Sequence, residues 1–140
     1  MKWWTFCDYE TKEKEIPIRD WYKAQDRRVQ SEFDLTVRIL TVTQDWLSGR
    51  QPFKLLEREH VGLGEIVFSV DVAGPRARKF TKRRFRPVGI LRVVEHEFIF
   101  LVGCEKSDRN IYRPPNAFDT ALRYKSELER GLGAVHDHDV

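Results

Sequence analysis

The positive charge of this sequence is concentrated in one place. PRARKFTKRRFR, residues 75–86, holds Arg76, Arg78, Lys79, Lys82, Arg83, Arg84 and Arg86 and no acid. The other 18 of the 25 lysines and arginines stand against 22 Asp and Glu, so a basic segment is set into an acidic body and the net charge is only +3. Groups of this kind at this density suit phosphate. Arginine is permanently charged and can place two N–H donors on one phosphate, and lysine adds a compact point charge. Such a patch points to a polyanion partner, nucleic acid first among them. The plain alternative is a solvated charged loop. Seven cations without an acid, at an expected strand edge, favour contact with phosphate.

Other chemistries find little support. There is no Ser-His-Asp set, CxxC pair, Walker loop or GxGxxG, so serine hydrolysis, zinc and nucleotide cofactors have no motif to rest on. His136 and His138, in HDH, are two potential ligands, which is too few for a metal site. Neither a metal nor a cofactor is expected. Cys7 and Cys104 lie far apart in apolar settings and read as buried free thiols of a reducing cytosol. No apolar run reaches the ~18 residues that a membrane span needs, and MKWWTFCDYE is not a secretory signal. The expectation is a cytoplasmic protein with no membrane partner.

The elements that must position the basic segment follow from periodicity. With 140 residues, 41% hydrophobic and 12% aromatic, the chain can bury a real core. It is expected to form one domain over 1–131, with a flexible tail at 132–140. WWTFCDY, 3–9, reads as a strand. Pro17 suits a helix start, with Ile18, Trp21 and Tyr22 on one face. A second helix begins after Asp26 as N-cap, buries Val29, Phe33, Val37 and Leu40, and is expected to reach Trp46 or Leu47 before Ser48-Gly49. The two form a helical hairpin or one long bent helix. Ile66, Phe68, Val70 and Val72 alternate with Val67, Ser69 and Asp71, giving a strand with one buried face. Ala73-Gly74-Pro75 breaks it. A second strand is expected at 84–94, with Pro87 requiring an edge or a bulge. Glu95-His96 turns the chain into FIFLVGC, 98–104, a central strand. A last helix follows Asn116, carries Phe118, Ala121, Leu122 and Leu128 on its apolar face, and stops at Gly131. The simplest packing is an α+β domain: an N-terminal strand and helical hairpin packed on one face of an antiparallel β-meander, plus a short C-terminal helix. The other sheet face is then open.

From about Pro17 to Leu128 the sequence resembles the RelE/ParE superfamily of bacterial toxins, including its phage-associated HigB-like branch. FKLLEREHVGLGEIVFSV is similar to the segment in which a "gL-x-E-l-R" element enters the first core strand. RRFRPVGIL is similar to the "yR-v-x-y" strand. FIFLVGCEKSDRNIY followed by PPNAFDTALRYKSEL resembles the last strand, basic turn, aromatic residue and closing helix. The resemblance implies a RelE-like fold and the toxin component of a type II toxin–antitoxin pair, held inactive by an antitoxin protein. The implied activity is ribosome-dependent cleavage of mRNA. Gyrase inhibition of the ParE kind, and a catalytically inactive nucleic-acid-binding homologue, are the alternatives. It places the catalytic arginine at Arg86, the basic residue after the last strand at Lys106 and the aromatic one at Tyr112, with Arg84 beside them. Arg76, Arg78, Lys79, Lys82 and Arg83, with Arg109 and Arg113 in the later polar run, become RNA and phosphate contacts. Three departures stand out: Glu105 next to Lys106, where many relatives carry a second cation, Pro87 and Gly89 after Arg86, and a loop at 104–112 about a residue longer.

Such a nuclease uses the RNA 2′-OH against the adjacent phosphorus and needs no metal. Arg86 suits the charge of the phosphorane. A lysine acts as base only with a depressed pKa, which crowded cations favour. Tyr112 could stack on a base. Each residue also has a plainer role: Arg86 as an ion-pair partner of Glu65 or Glu97, Lys106 as an exposed lysine, Tyr112 as packing under the last helix. His96 is set aside because it falls in a turn at the far end of the strands, and His60 reads as a loop residue.

Overall fold

The computed structural model describes residues 2–48, 52–56, 60, 62–73, 80–107 and 109–138. Arg76, Arg78 and Lys79 lie outside them. The protein is a mixed α+β domain. Strand β1 (Thr5–Glu10) leads into helices α1 (Pro17–Lys23) and α2 (Arg27–Thr41). Asp26 caps α2 through its side chain, which accepts from the Val29 N–H at 3.0 Å. The face Val29, Phe33, Val37 and Leu40 is buried, as the spacing predicted. The helix stops at Thr41, short of the expected Trp46. Trp46 itself supplies the reason. Its indole folds back to donate to the Leu40 carbonyl at 2.9 Å and stacks on Trp4 at 4.4 Å, so burying that ring draws the chain off the helix axis.

Among the described residues nine strands and a helix follow: β2 (Phe53–Leu55), β3 (Leu63–Ile66), β4 (Phe68–Ala73), β5 (Phe80–Phe85), β6 (Val88–Arg92), β7 (Glu97–Val102), β8 (Glu105–Lys106), β9 (Tyr112–Arg113), α3 (Ala117–Glu129) and β10 (Ala134–Asp137). One sheet has the order β10-β1-β7-β6-β3-β2 and the other β4-β5-β8-β9. All pairs are antiparallel except β1 with β7. The strands expected at 66–72 and 84–94 are each two strands, divided between the sheets. The first changes sheet at Val67, whose N–H turns to Pro52 O at 2.6 Å. The second changes at Arg86-Pro87. Here Arg86 N–H donates to Cys104 O at 2.8 Å, and Pro87 O accepts from Ile66 N–H at 2.9 Å. Gly103-Cys104 makes the third crossing, between β7 and β8. Together these crossings form a corner, and a proline without an N–H fits where a ladder must end.

The continuous apolar strand β7 is central and covered on both faces, the burial that such a run calls for. Phe98 and Phe100 meet Phe6, Ile18, Phe33 and Trp46 on the α1/α2 side. Ile99 and Leu101 meet Tyr9, Leu63, Val88, Ala117 and Ala121 on the α3 side. The expected open sheet face is therefore filled by α3, because both parities of β7 are large and apolar. The tail is also not a free one. After Gly131 and Gly133, both at positive φ, β10 pairs with β1, and His138 N–H donates to Phe6 O at 2.9 Å. His138 Nδ1 sits 2.8 Å from the buried Asp8 carboxylate, which also accepts from Arg19 Nε at 2.8 Å. Cys7 and Cys104 are free and buried. Among the described residues no helix is long and apolar enough to cross a membrane.

Candidate nucleic-acid interface

The smaller sheet sorts the basic residues by parity. Directly opposite residues of an antiparallel pair share a face, and neighbours in sequence alternate. Ser69 pairs with Arg84, Arg84 with Lys106 and Lys106 with Tyr112, so one row crosses four strands. At the usual strand spacing it is roughly 14 Å long. Lys82 lies on the same face, opposite Asp71. Phe68, Val70 and Phe85 have the other parity and enter the core. Lys82, Arg84 and Arg86 together line a groove of about 220 Å³ with Val67, Phe68 and Ser69.

Arg86 stands at the corner, where β5 has ended, and its side chain is 10% exposed. Its Nη1 donates to Phe85 O at 2.8 Å, and its Nε lies 3.9 Å from Glu65 Oε1. The Cys104 thiol donates to Arg86 O at 2.8 Å, which fixes the backbone there. Glu65, on β3, is buried, and its other oxygen accepts from the Tyr112 hydroxyl at 3.0 Å. Burial raises the Glu65 pKa against the opposing effects of Tyr112, Arg86, Lys54 and Lys106. Burial also lowers the pKa of Lys106. Lys54, Arg86 and Arg84 act in the same direction, and Glu65 acts against them. The Lys106 ammonium lies 5.5 Å from the Tyr112 ring centre. Burial, with Glu65 beside it, pushes the Tyr112 phenol up, so it stays a neutral donor.

The structure thus brings Arg84, Arg86, Lys106 and Tyr112 together. Of the two ion-pair partners considered for Arg86, Glu65 is the one present, and Glu97 meets Arg92 at 3.5 Å instead. Tyr112 also packs edge-on against Phe118 of α3, and Phe118 stacks on His60 at 4.4 Å. Arg83 and Arg113 do not join the row. Arg83 has the parity of Phe85, lies over that ring at 5.0 Å and grips Glu105 with two bonds of 2.6 and 3.3 Å. Arg113 is opposite Glu105 on that same face. Arg109 is exposed in the turn before β9. Glu105 itself is held by Arg83 on the face away from Lys106, so this departure leaves the row cationic. Among the described residues no cluster of three or more His, Cys, Asp or Glu is placed to hold a metal.

Glu65 was the residue not chosen as functional from sequence. The structure singles it out as the one acid in β3, a strand whose every residue is buried. The arrangement has three capacities. It can line up phosphates along a cationic row, offer a guanidinium at one end, and hold an amine whose pKa burial lowers from the ordinary lysine value.

No family model, no curated protein and no solved structure matches this chain.

Proposed function

We propose that this protein is a RelE/HigB-like toxin: a metal-independent endoribonuclease that cuts mRNA on the ribosome in the cytoplasm and is restrained by a cognate antitoxin. The observation that carries the reading is the row Ser69, Arg84, Lys106 and Tyr112, with Arg86 at its corner. In this reading neutral Lys106 takes the proton of the RNA 2′-OH, and the 2′ oxygen bonds to phosphorus. Arg86 turns from Glu65 to the two non-bridging oxygens as negative charge builds on them. The bond to the 5′ oxygen breaks, and that oxygen takes a proton from solvent. The products are a 2′,3′-cyclic phosphate and a 5′-OH. Tyr112, at the end of the row, gives a ring for base stacking.

In this reading the antitoxin lies on α2. Leu35, Ile39 and Val42 are 46%, 46% and 57% exposed at a spacing of i, i+4, i+7, the pattern that receives an amphipathic helix. A second reading, a binding protein without cleavage, has one observation in its favour: Arg86 is engaged internally by Phe85 O and Glu65.

Inducible expression followed by primer extension on a translated message tests the proposal. Wild type should cut within codons while translation runs. Arg86→Lys keeps the charge next to Glu65 but loses the two-pronged donor, and should reduce cutting by about 10²–10³-fold, the cost of one oxyanion donor. Growth arrest with intact message would move the assignment to gyrase inhibition. A folded wild-type protein that binds RNA without cutting it would establish the binding-only reading.

A further inference from the structure

We infer that Arg83 is a positioning residue: through Glu105 it holds strand β8 in register from behind and thereby sets Lys106 in the cationic row. The inference rests on the phosphate-groove reading above. Strand β8 is two residues long, Glu105 and Lys106, and both are only half-buried. No apolar side chain of its own anchors it to the core. It pairs with β5 on one side and β9 on the other, and β9 is also two residues long. A ladder this short fixes register weakly.

The side-chain clamp on its rear face is the bond pair from Arg83 Nη2 and Nε to the two Glu105 oxygens, at 2.6 and 3.3 Å. A two-pronged guanidinium–carboxylate pair fixes direction as well as distance. Arg83 is itself braced, over the Phe85 ring and 4.0 Å from the Asp26 carboxylate that caps α2. The clamp therefore links the start of α2, β5 and β8. Because residues alternate, holding Glu105 backward directs Lys106 forward, over Tyr112 and toward the charges of Glu65, Arg84 and Arg86. A slip of one residue would exchange the two, placing a carboxylate in the cationic row and a lysine behind it. Arg83 thus belongs to the apparatus that places the cationic row and not to the phosphate contacts.

A charge exchange separates the two roles. Arg83→Glu alone should reduce RNA cleavage by about 10–100-fold, the loss expected when a group is displaced by an ångström. It should also speed amide exchange at residues 104–107. Adding Glu105→Arg should restore both to within a few-fold of the starting protein. All three forms are best made with Asp26→Asn, which still caps α2 and removes a like charge next to residue 83. A phosphate contact would behave otherwise. Cleavage would not return in the double variant, and amide exchange would be unchanged throughout. Arg83→Gln gives a second check. Loss of a phosphate contact would lower the slope of log K against log salt by about 0.7 for single-stranded RNA, whereas a positioning role leaves it unchanged. If wild type neither binds nor cuts RNA, the groove reading fails, and amide exchange alone then decides whether the clamp orders β8.

Discussion

Glu65, Arg86, Lys106 and Tyr112 form one coupled set, and each side chain's state depends on the others. Burial disfavours charge on Glu65 and on Lys106 alike, while each attracts the other's charge. For Lys106 the balance is a lowered pKa, so the free amine appears at lower pH than for an ordinary lysine. A base works when unprotonated. Cleavage by the wild type should therefore rise with pH and reach its plateau below 10.5, the ordinary lysine value. In Lys106→Arg that limb should vanish, because the guanidinium stays protonated. A pH–rate profile on a defined RNA measures this, and an unchanged limb in the variant would remove Lys106 from the role of base. Sequence reading reached three of the four residues, and it did so through resemblance. Glu65 escaped because one carboxylate in a strand looks like any other until its neighbours are known. The face of Arg83 could also be read: in FTKRRF it shares parity with Phe85, a core residue, while Lys82 and Arg84 do not.

At the scale of elements, the existence of strands and helices was readable and their partners were not. A period of two reports which face is buried, whichever sheet buries it. The runs 66–72 and 84–94 therefore looked continuous, although each changes sheet midway. Pro87 marked one crossing. Nothing comparable marks Val67, an apolar residue among apolar residues. Gly89 is the clearest element-scale requirement. It sits where the register of β6 on β7 shifts, and a Cβ there would meet the Ile99 carbonyl oxygen and the Phe98 ring. Backbone and a fully buried ring have little room to move. Gly89→Ala should cost about 1–3 kcal/mol, in the range of an overpacked core, and would show as a lower urea midpoint with an unchanged slope. The helix capped by Asp26 was found with its buried face intact, and its end was misjudged because the folding back of Trp46 is a tertiary event.

For the molecule as a whole, coverage of the larger sheet by helices on both faces was hidden by the modest apolar content of α3. There only Ala117 and Ala121 are fully buried apolar residues, and Glu127 answers Tyr9 with a 2.9 Å hydrogen bond. The last strand carried less signal still, since AVHD is four residues long and too polar to show an apolar alternation. Its attachment lies in backbone pairing with β1 and in the bond from His138 to Asp8. Removing residues 134–140 should leave one Asp8 oxygen without its partner and cost on the order of 2 kcal/mol for that group alone. Amide exchange over Thr5–Glu10 should accelerate, and unaltered protection there would show that β1 does not depend on β10.

The position of β1 between β7 and β10 also governs biosynthesis. Thr5 pairs with Glu97, and Cys7 with Asp137, so β1 meets both of its neighbours only after a long stretch of later chain has been made. Until then Trp4 and Phe6 can pack against Trp46 but lack Phe98 and Phe100 of β7, and closing so long a loop is entropically slow. Through that interval β1 is an apolar strand with both edges unpaired, open to chaperones or to mispairing.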